Sequence, residues 1–269
     1  MNYKGQRALV TGASSGIGAA FARELARRET DLVLVARSHD KLTALADELS
    51  ASFGVATEVA VADLAKPNAA IELAAELRGR GLQIDILVNN AGFGLFALLH
   101  EADDAALADM IRVNVAALVD LTRLYLPDML ERDRGAIINV ASTAAFQPVP
   151  YMAVYGATKA FVLSFTEALW AETRGTGVRV TAICPGATDT AFFDVAGENA
   201  QVGRSMSPER VVHTALRALD RRSSTVVTGA GNWLLVNSPR LAPRQLVARI
   251  AGRTMRPAGH SRRTEKTKV

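Results

Sequence analysis

Cysteine is almost absent from this chain, since only one of its 269 residues, Cys184, is a cysteine. A single thiol cannot form an internal disulfide, which excludes the disulfide-stabilised class of small secreted domains and favours a reducing compartment. The neighbours of Cys184 in the stretch VRVTAICPG are mostly apolar. We therefore predict that Cys184 is a buried structural thiol and not a nucleophile.

Long hydrophobic runs are absent as well. The chain begins MNYKGQRALV, in which two basic residues precede only a short apolar run, and this is unlike a secretion signal. No later stretch stays apolar over the roughly 20 residues that are needed to cross a bilayer. We therefore expect a cytoplasmic protein.

Clustered metal ligands are also missing. No histidine belongs to a group of Cys, His or carboxylate residues with ligand spacing, so we predict that the protein binds no metal. The two tryptophans are isolated too, and we expect both to be packing residues, not substrate platforms. The residues concerned are His39, His100, His213, His260, Trp170 and Trp233.

Acidic residues are scarce at the C-terminal end. Residues 240–269 hold nine Lys or Arg against the single Glu265, whereas residues 1–239 carry 22 basic and 26 acidic groups. We predict one domain over residues 1–239, with a basic, partly helical extension over 240–269 whose last ten residues are disordered. The acidic body and the lack of a recognised reading motif make nucleic acid an unexpected partner.

The extension contains an amphipathic pattern. Leu246, Val247, Ile250 and Thr254 fall near one helical face, and a group of arginines occupies another. Such a helix suits peripheral contact with an anionic membrane, but it could equally pack on the body of the protein or on a neighbouring subunit. The arginines are Arg249, Arg253 and Arg256.

Short β-branched apolar runs alternate with longer segments of helical period, which predicts βαβ units in a single α/β domain. Strands this apolar need cover on both faces, so we expect a three-layer, Rossmann-like doubly wound parallel sheet of about seven strands. The predicted strands are 7–11, 31–36, 55–61, 84–90, 135–142, 177–184 and 224–228, and helices are expected near 16–29, 40–52, 68–80, 104–131, 152–174 and 208–220.

The first strand runs into TGASSGIG, residues 11–18, and then into a helix. Gly12, Gly16 and Gly18 permit a tight turn and close approach to a pyrophosphate, whose charge the helix N-terminus would hold. The spacing is GxxxGxG, not the commoner GxGxxG, and an ordinary glycine-rich turn is the alternative.

The second strand is followed by Arg37, where a protein selecting NAD usually places a carboxylate. A guanidinium pairs with a 2′-phosphate, so we predict NADP(H), with a solvated surface charge as the alternative. Asp63, before Leu64, could accept a hydrogen bond from the adenine amino group or could equally be a capping residue.

The stretch YMAVYGATK, residues 151–159, contains two tyrosines and one lysine. In a helix, Tyr155 and Lys159 stand at i and i+4 on one face, while Tyr151 lies two turns from the lysine. An adjacent ammonium favours the phenolate, so we expect Lys159 to lower the pKa of Tyr155. Tyr155 is therefore the predicted acid–base group.

These motifs occur in order with four others: NNAG at 89–92, Asn114 in a predicted helix, Ser142 after the fifth strand, and PGATDT at 185–190. The array resembles the short-chain dehydrogenase/reductase family of the compact, single-domain type, over about residues 5–230. The resemblance implies a doubly wound sheet, an NAD(H) or NADP(H) cofactor, and hydride transfer between an alcohol and a carbonyl.

Carried over residue by residue, the resemblance implies that Ser142, Tyr155 and Lys159 are catalytic and that Asn114 joins a proton relay. Asn114 could instead bond its own helix backbone, and Ser142 could cap the end of a strand. Asn90 and Gly92 would lie near the adenosine ribose, and Thr188 could instead be a loop residue without a specific role. The full predicted set of cofactor contacts is Gly12, Ser14, Ser15, Gly16, Ile17, Gly18, Arg37, Asp63, Leu64, Asn90, Ala91, Gly92, Tyr155, Lys159, Pro185, Gly186, Thr188 and Thr190.

The resemblance also implies that the substrate lies among the segments after strands four, five and six. Aromatic rings there would form an apolar wall, which favours a small lipophilic substrate of keto-acyl or steroid-like type, although each ring could instead pack in the core. The rings are Phe93, Phe96, Phe146, Tyr151, Phe192 and Phe193.

Two further expectations concern the whole protein. The extension after the last strand departs from the compact family pattern, so a homodimer through the two long helices is expected ahead of the homotetramer. The leading function is an NADP(H)-dependent oxidoreductase. A non-catalytic NADP(H)-binding sensor of the same fold is the alternative, against which the retention of Ser142, Tyr155 and Lys159 argues.

Overall fold

The computed structural model describes residues 1–192 and 205–256. Its strands are β1 (Arg7–Thr11), β2 (Asp31–Ala36), β3 (Thr57–Val61), β4 (Ile86–Asn89), β5 (Gly135–Val140), β6 (Val178–Cys184) and β7 (Thr225–Val227). All pair in parallel in one sheet of order β3-β2-β1-β4-β5-β6-β7. The order reverses between β1 and β4, where a doubly wound sheet opens a ligand crevice at the carboxyl ends of its strands. The predicted fold class is confirmed.

Helices lie between consecutive strands as crossovers, and in the described part of the chain two more follow β7. They are α1 (Gly16–Arg27), α2 (His39–Phe53), α3 (Ala69–Gly79), α4 (Asp104–Ile111), α5 (Ala117–Glu131), α6 (Ala153–Glu172), α7 (Pro208–Asp220), α8 (Ala230–Asn237) and α9 (Arg244–Thr254). Short 3₁₀ turns lie at Leu99–Glu101, Thr143–Phe146 and Ser238–Leu241.

Alternate residues of the strands enter two apolar cores on opposite faces of the sheet. In β1, Ala8 and Val10 pack in the core that α1, α2 and α7 cover, whereas Leu9 packs in the core beneath α3, α5 and α6. Because both faces are covered, an uninterrupted apolar run such as DLVLVA in β2 is stable as a strand. Cys184, at the end of β6, is buried as predicted.

The helical segment predicted near 104–131 is confirmed, but it is not α-helical throughout. Between α4 and α5 the chain forms a π-helical turn over Arg112–Ala116, and the buried residue Asn114 lies in it. The side chain of Asn114 bonds to the backbone of Phe93, outside the helix. Such π turns insert one extra residue into a helix and are frequent at functional sites.

The strands β4 and β5 end one and two residues before their predicted limits. The sequence predicts strands as far as residues 90 and 142, whereas β4 ends at Asn89 and β5 ends at Val140. Asn90 and Ser142 consequently lie in loops just beyond the carboxyl edge of the sheet. This is the edge at which open α/β sheets bind their ligands.

Within residues 1–192 and 205–256, no helix is both long and apolar enough to span a bilayer. The predictions for Phe193 and for disorder of the last ten residues fall outside the described part of the chain. Trp170 is half-buried and donates a hydrogen bond to the carbonyl oxygen of Arg222 at 2.8 Å. The prediction that Trp233 is a packing residue is wrong, because its side chain is exposed on α8.

Candidate active site

The turn between β1 and α1 is shaped by its three glycines. Gly12 and Gly16 have φ values of +65° and +54°, in the left-handed region that favours glycine. At Gly18 the reason is space, since an added Cβ would lie 2.1 Å from the carbonyl oxygen of Gly12. The turn therefore closes tightly, and its backbone is accessible to a pyrophosphate as a dinucleotide turn requires.

The first turn of α1 offers unfilled backbone N–H groups. α1 begins at Gly16 after Ser15, whose side chain makes no capping hydrogen bond. The first N–H groups of a helix have no partner within it and carry the positive end of its dipole. Ser14 and Ile17 are half-buried and Ser15 is exposed around these groups. This set of donors fits the pyrophosphate of NAD(P).

Thr11, which sequence reasoning missed, joins the carboxyl ends of β1 and β4. Its hydroxyl oxygen accepts hydrogen bonds from the backbone N–H groups of Asn90 and Ala91, each at 3.0 Å. The Asn90 amide donates to the carbonyl oxygens of Thr11 and Gly12 at 2.9 and 3.3 Å. Asn90 thus braces the glycine turn. The available signal for Thr11 was a polar residue at the end of an apolar strand.

Arg37 and Asp63 follow β2 and β3 at the same edge of the sheet. Arg37 is exposed, and it makes no ion pair or side-chain hydrogen bond with the described residues, so its guanidinium is available to an anion. The Asp63 carboxylate accepts from the N–H of Ala65 at 3.1 Å and so caps a turn, while Leu64 is buried. A contact of Asp63 with adenine stays a prediction.

Ser142 and Tyr155 meet beyond the end of β5. Ser142 begins the 3₁₀ turn Thr143–Phe146, where its side-chain oxygen accepts from the N–H of Ala144 at 3.1 Å. Tyr155 lies in the first turn of α6, and its hydroxyl is near enough to Ser142 for that side chain to lower its pKa. Both side chains are buried. The fold therefore brings the two predicted hydroxyl groups close together.

Lys159 lies one helical turn after Tyr155 and is 5 % exposed. Its Nζ donates to the carbonyl oxygen of Val140 at 2.8 Å and lies 5.9 Å from the centroid of the Tyr155 ring. A Cβ added at Gly92 would be 3.3 Å from the same nitrogen. The ammonium therefore lies between the tyrosine ring and the NNAG segment.

Burial governs the acidity of both groups. Loss of solvent raises the pKa of Tyr155 to about 12, although the Ser142 side chain opposes the change. Burial lowers the pKa of Lys159 to about 8, while the negative charge of a Cys184 thiolate would raise it. We expected a lower pKa for Tyr155. For the chain without cofactor that expectation is wrong, because desolvation of the phenolate raises the pKa by more than Ser142 lowers it.

Asn114 connects the loop after β4 with α6. Its Oδ1 accepts from the N–H of Phe93 at 3.1 Å, and its Nδ2 donates to the Phe93 carbonyl oxygen at 3.0 Å and to Thr158 Oγ1 at 3.1 Å. The alternative that Asn114 bonds its own helix is therefore wrong. Its Oδ1 would lie 2.9 Å from a Cβ added at Gly92, on the side where the lysine Nζ also lies.

The segment after β6 links the catalytic turn to the dinucleotide turn. The carbonyl oxygen of Pro185 accepts at 2.9 Å from the first N–H of the 3₁₀ turn that follows β5. The Thr188 hydroxyl donates to the carbonyl oxygen of Gly186 at 3.0 Å. A Cβ added at Gly16 would lie 2.7 Å from Thr190 Cγ2. These residues close the site on the side of α1.

An apolar cluster surrounds Tyr155. Its ring centroid lies 5.4 Å from that of Phe192, and Tyr151 stacks on Phe96 at 5.5 Å. Met110, Met152 and Tyr155 form the buried centre of the cluster, and its partly buried members are Phe93, Leu95, Phe96, Leu107, Ala144, Val149, Val154, Phe192 and Met255. The tyrosine hydroxyl therefore lies beside an apolar surface.

Phe146 does not belong to this cluster. Its partly buried ring packs against a different cluster, formed by Leu118, Ala141, Val162, Leu163, Ala182 and Cys184. Phe146 thus follows the stated alternative of packing in the core.

Comparison with known proteins decides the family. The short chain dehydrogenase family model matches residues 6–201. The chain belongs to the short-chain dehydrogenase/reductase family. The chain is 36 % identical over 231 residues to a very-long-chain 3-oxoacyl-CoA reductase of Bos taurus, a match that covers 83 % of the present chain and 71 % of the relative. It is therefore an oxidoreductase of carbonyl or alcohol groups that uses a nicotinamide cofactor.

Solved structures agree with this family. A 7β-hydroxysteroid dehydrogenase superposes with a TM-score of 0.85 at 31 % identity, over 94 % of the present chain and 100 % of that chain. A short-chain dehydrogenase from Sphingobium yanoikuyae in complex with NADPH gives 0.79 at 36 % identity, over 88 % and 94 %. Another from Burkholderia phymatum, in complex with NAD, gives 0.80 at 28 % identity, over 90 % and 95 %. Both nicotinamide cofactors occur among the structural neighbours.

Proposed function

We propose that the protein transfers a hydride between NADP(H) and a lipophilic ketone or secondary alcohol of keto-acyl or steroid-like type. The observation that carries this proposal is that Ser142 and Tyr155 are buried close together, with Tyr155 in the apolar cluster that includes Phe93, Phe96 and Phe192. An apolar wall with few convergent polar groups favours a lipophilic substrate over a sugar or a small acid. Relatives named as a 3-oxoacyl-CoA reductase and a hydroxysteroid dehydrogenase support the same classes.

The chemistry needs two protein groups at the substrate oxygen. The nicotinamide, when bound, supplies or accepts the hydride. In the direction of reduction, negative charge develops on the carbonyl oxygen, and the Ser142 hydroxyl stabilises it by donating a hydrogen bond. Tyr155 then delivers the proton as general acid, and in the reverse direction it acts as general base.

Lys159 and Asn114 support the tyrosine in this proposal. With a pKa of about 8, Lys159 is mostly protonated at neutral pH, and its positive charge favours the phenolate. The lysine Nζ and Asn114 Oδ1 lie on the same side of Gly92, so we assign both to the path by which Tyr155 recovers its proton. The cofactor would be held by the glycine turn, the first turn of α1, Arg37 and residues 185–190.

The test is a panel of ketones and secondary alcohols of graded chain length, with NADPH and NADH, monitored by nicotinamide absorbance. We expect turnover to increase from short to long acyl or polycyclic substrates and to be faster with NADPH. Binding of NADPH without turnover of any compound would favour a sensor and contradict the proposal.

Replacement of Arg37 by aspartate tests the choice of cofactor. Arg37 is exposed and makes no bond to the described residues, so the change removes no internal contact. A charge-assisted pair with the 2′-phosphate contributes about 1.5–3 kcal/mol, and its loss should weaken NADPH binding by at least about tenfold while NADH binding is retained. Fluorescence titration of both cofactors measures the two affinities.

The matched control is Arg217→Asp, which makes the same charge change at an exposed position in the last turn of α7. This variant should have the same ratio of NADPH affinity to NADH affinity as the parent. If Arg37→Asp had the same ratio of NADPH affinity to NADH affinity as the parent, Arg37 would not belong to the cofactor site.

The proposal includes a homo-oligomer in the cytoplasm, with residues 1–239 as the catalytic domain and residues 240–269 as its extension. Exposed apolar side chains on α4 and α6 support a dimer through the long helices rather than a monomer. They surround a shallow hollow lined by Ile111, Val115, Ala153, Val154, Ala157 and Phe161. A tetramer would need a second interface.

A further inference from the structure

Three consecutive large apolar residues of α8 face solvent. Trp233, Leu234 and Leu235 are 59 %, 65 % and 48 % exposed, whereas the next residue, Val236, is buried. Single exposed apolar side chains are normal on a soluble protein, but an adjacent group of this size marks a site of interaction. α8 therefore packs on the body through a narrow face and leaves its larger apolar side chains uncovered.

α9 shows the same arrangement. The side of α9 that contacts the body carries Ala251, which is buried, and Gly252, where an added Cβ would lie 3.5 Å from Pro150. Leu246 and Ile250, one turn apart, are 47 % and 52 % exposed. The inward face of α9 is thus not the Leu246–Ile250 face, and packing on the body does not explain that apolar stripe.

The two helices lie over the same segment of the body. α8 contacts the 3₁₀ turn Thr143–Phe146, and α9 contacts Pro150 a few residues later. We call the exposed side chains of Trp233, Leu234, Leu235, Leu246 and Ile250 the C-terminal apolar surface. The two helices that carry these side chains both contact the loop that follows β5.

Positive charge borders this surface. Arg249 and Arg253 are exposed on α9, within one turn of Leu246 and Ile250. The sequence has no acidic residue between Asp220 and Glu265, although five arginines lie between residues 240 and 256. Four of them, Arg244, Arg249, Arg253 and Arg256, form no ion pair with the described residues.

The positive charge beside the C-terminal apolar surface favours an anionic membrane over a second copy of the chain as its partner. A second copy of the chain on the same surface would bring arginines of like sign together around an apolar contact, at a cost in free energy. An anionic bilayer supplies phosphate and carboxylate groups for the arginines and an acyl boundary for the apolar side chains. Tryptophan prefers the interfacial region because one edge of its ring is polar.

We propose that the C-terminal apolar surface, with Arg249 and Arg253 at its border, binds peripherally to an anionic membrane. Leu234, Ile250 and the other aliphatic side chains enter the headgroup and acyl boundary, and the arginines pair with lipid phosphates. The contact requires no property of the active site, so it stands or falls separately from the reaction proposed above.

Co-sedimentation of the full chain with vesicles tests the proposal. The lipids are phosphatidylcholine alone and phosphatidylcholine with about a third phosphatidylserine, at low and at high salt. The parent should bind the anionic vesicles at low salt, bind neutral vesicles weakly, and lose much of its binding as salt screens the arginines.

Paired variants separate the apolar part from the charged part. Leu234→Gln with Ile250→Gln should weaken vesicle binding by at least about tenfold, because two aliphatic side chains no longer enter the bilayer. The control, Ile71→Gln with Leu130→Gln, changes side chains that are 40 % and 39 % exposed on α3 and α5, and it should bind like the parent.

For charge, Arg249→Gln with Arg253→Gln should weaken binding by about fivefold per arginine. Arg210→Gln with Arg217→Gln removes the same charge from exposed positions of α7 and should have little effect.

Tryptophan fluorescence gives a second readout, which detects membrane contact of the parent protein directly and does not depend on a variant that binds more weakly. The emission should shift to shorter wavelength on addition of anionic vesicles, and lipids brominated in the acyl chain should quench it. Trp233→Phe leaves Trp170 as the only tryptophan, and the response should then disappear. Circular dichroism confirms that each variant is folded.

Three results would overturn the proposal. The first is absence of co-sedimentation of the parent with anionic vesicles at low salt. The second is unchanged binding of the Leu234→Gln, Ile250→Gln variant, which would assign binding to charge alone. The third is a parent oligomer that this variant dissociates in the absence of lipid, which would make the surface a subunit interface.

Discussion

Replacement of Tyr155 by phenylalanine should lower kcat by at least about a hundredfold while NADPH binds nearly as well as to the parent. A positioned general acid contributes roughly 10²- to 10⁴-fold to a rate, and no neighbouring group in the apolar cluster can donate the proton instead. The ring keeps its contact with Phe192, so the shape of the site is preserved. Steady-state kinetics and fluorescence titration of NADPH measure the two effects.

Tyr151→Phe is the matched control. The Tyr151 ring stacks on Phe96 at 5.5 Å, a contact that phenylalanine retains. We therefore expect this variant to keep most of the parent activity. If Tyr151→Phe lost turnover and Tyr155→Phe retained it, the assignment of the general acid would be reversed.

Replacement of Gly18 by alanine should abolish tight cofactor binding and lower stability. The added Cβ would lie 2.1 Å from the Gly12 carbonyl oxygen and 2.6 Å from the Asn90 amide nitrogen. A backbone carbonyl cannot move aside cheaply, so α1 must shift away from the turn. Overpacking of this kind costs about 1–3 kcal/mol, and the displaced helix no longer aims its N–H groups at the pyrophosphate. Thermal unfolding and NADPH titration both report the change.

Gly79→Ala is the corresponding control, since Gly79 also lies in a helix but has no atom within 4 Å of an added Cβ. Alanine there should be neutral or stabilise the protein by up to about 1 kcal/mol, with unchanged cofactor affinity. A Gly18→Ala variant that bound NADPH like the Gly79→Ala variant would show that the turn is not the pyrophosphate site.

The sheet and the glycine turn could be predicted because their signals are local. The apolar runs of β1 and β2 predict their own strands, and TGASSGIG predicts a dinucleotide turn because it stands between a strand pattern and a helix pattern. The proximity of Ser142 to Tyr155 was harder to predict from residue patterns. The two residues lie on different elements, and only the order of motifs in the family resemblance suggested it.

Other features could not be predicted, because they depend on segments far apart in the chain. The bonds of Asn114 to Phe93 require the loop after β4 to lie against the π turn. The packing of Phe146 in the core depends on where the 3₁₀ turn after β5 leads. Trp233 is exposed because α8 contacts the body through other residues.

The sequence by itself determined the doubly wound fold, since hydrophobic periodicity acts within a few residues, whereas the candidate catalytic groups were what the order of motifs in the family resemblance implied. Only the tertiary structure decided the acidity of Tyr155, the partners of Asn114 and the exposed face of α9. The pKa of Tyr155 depends on how completely distant segments of the chain exclude water from its hydroxyl. The exposure of a side chain on α9 depends on which face of the helix packs against the rest of the protein. Both are set by contacts between residues that the chain separates by tens of positions.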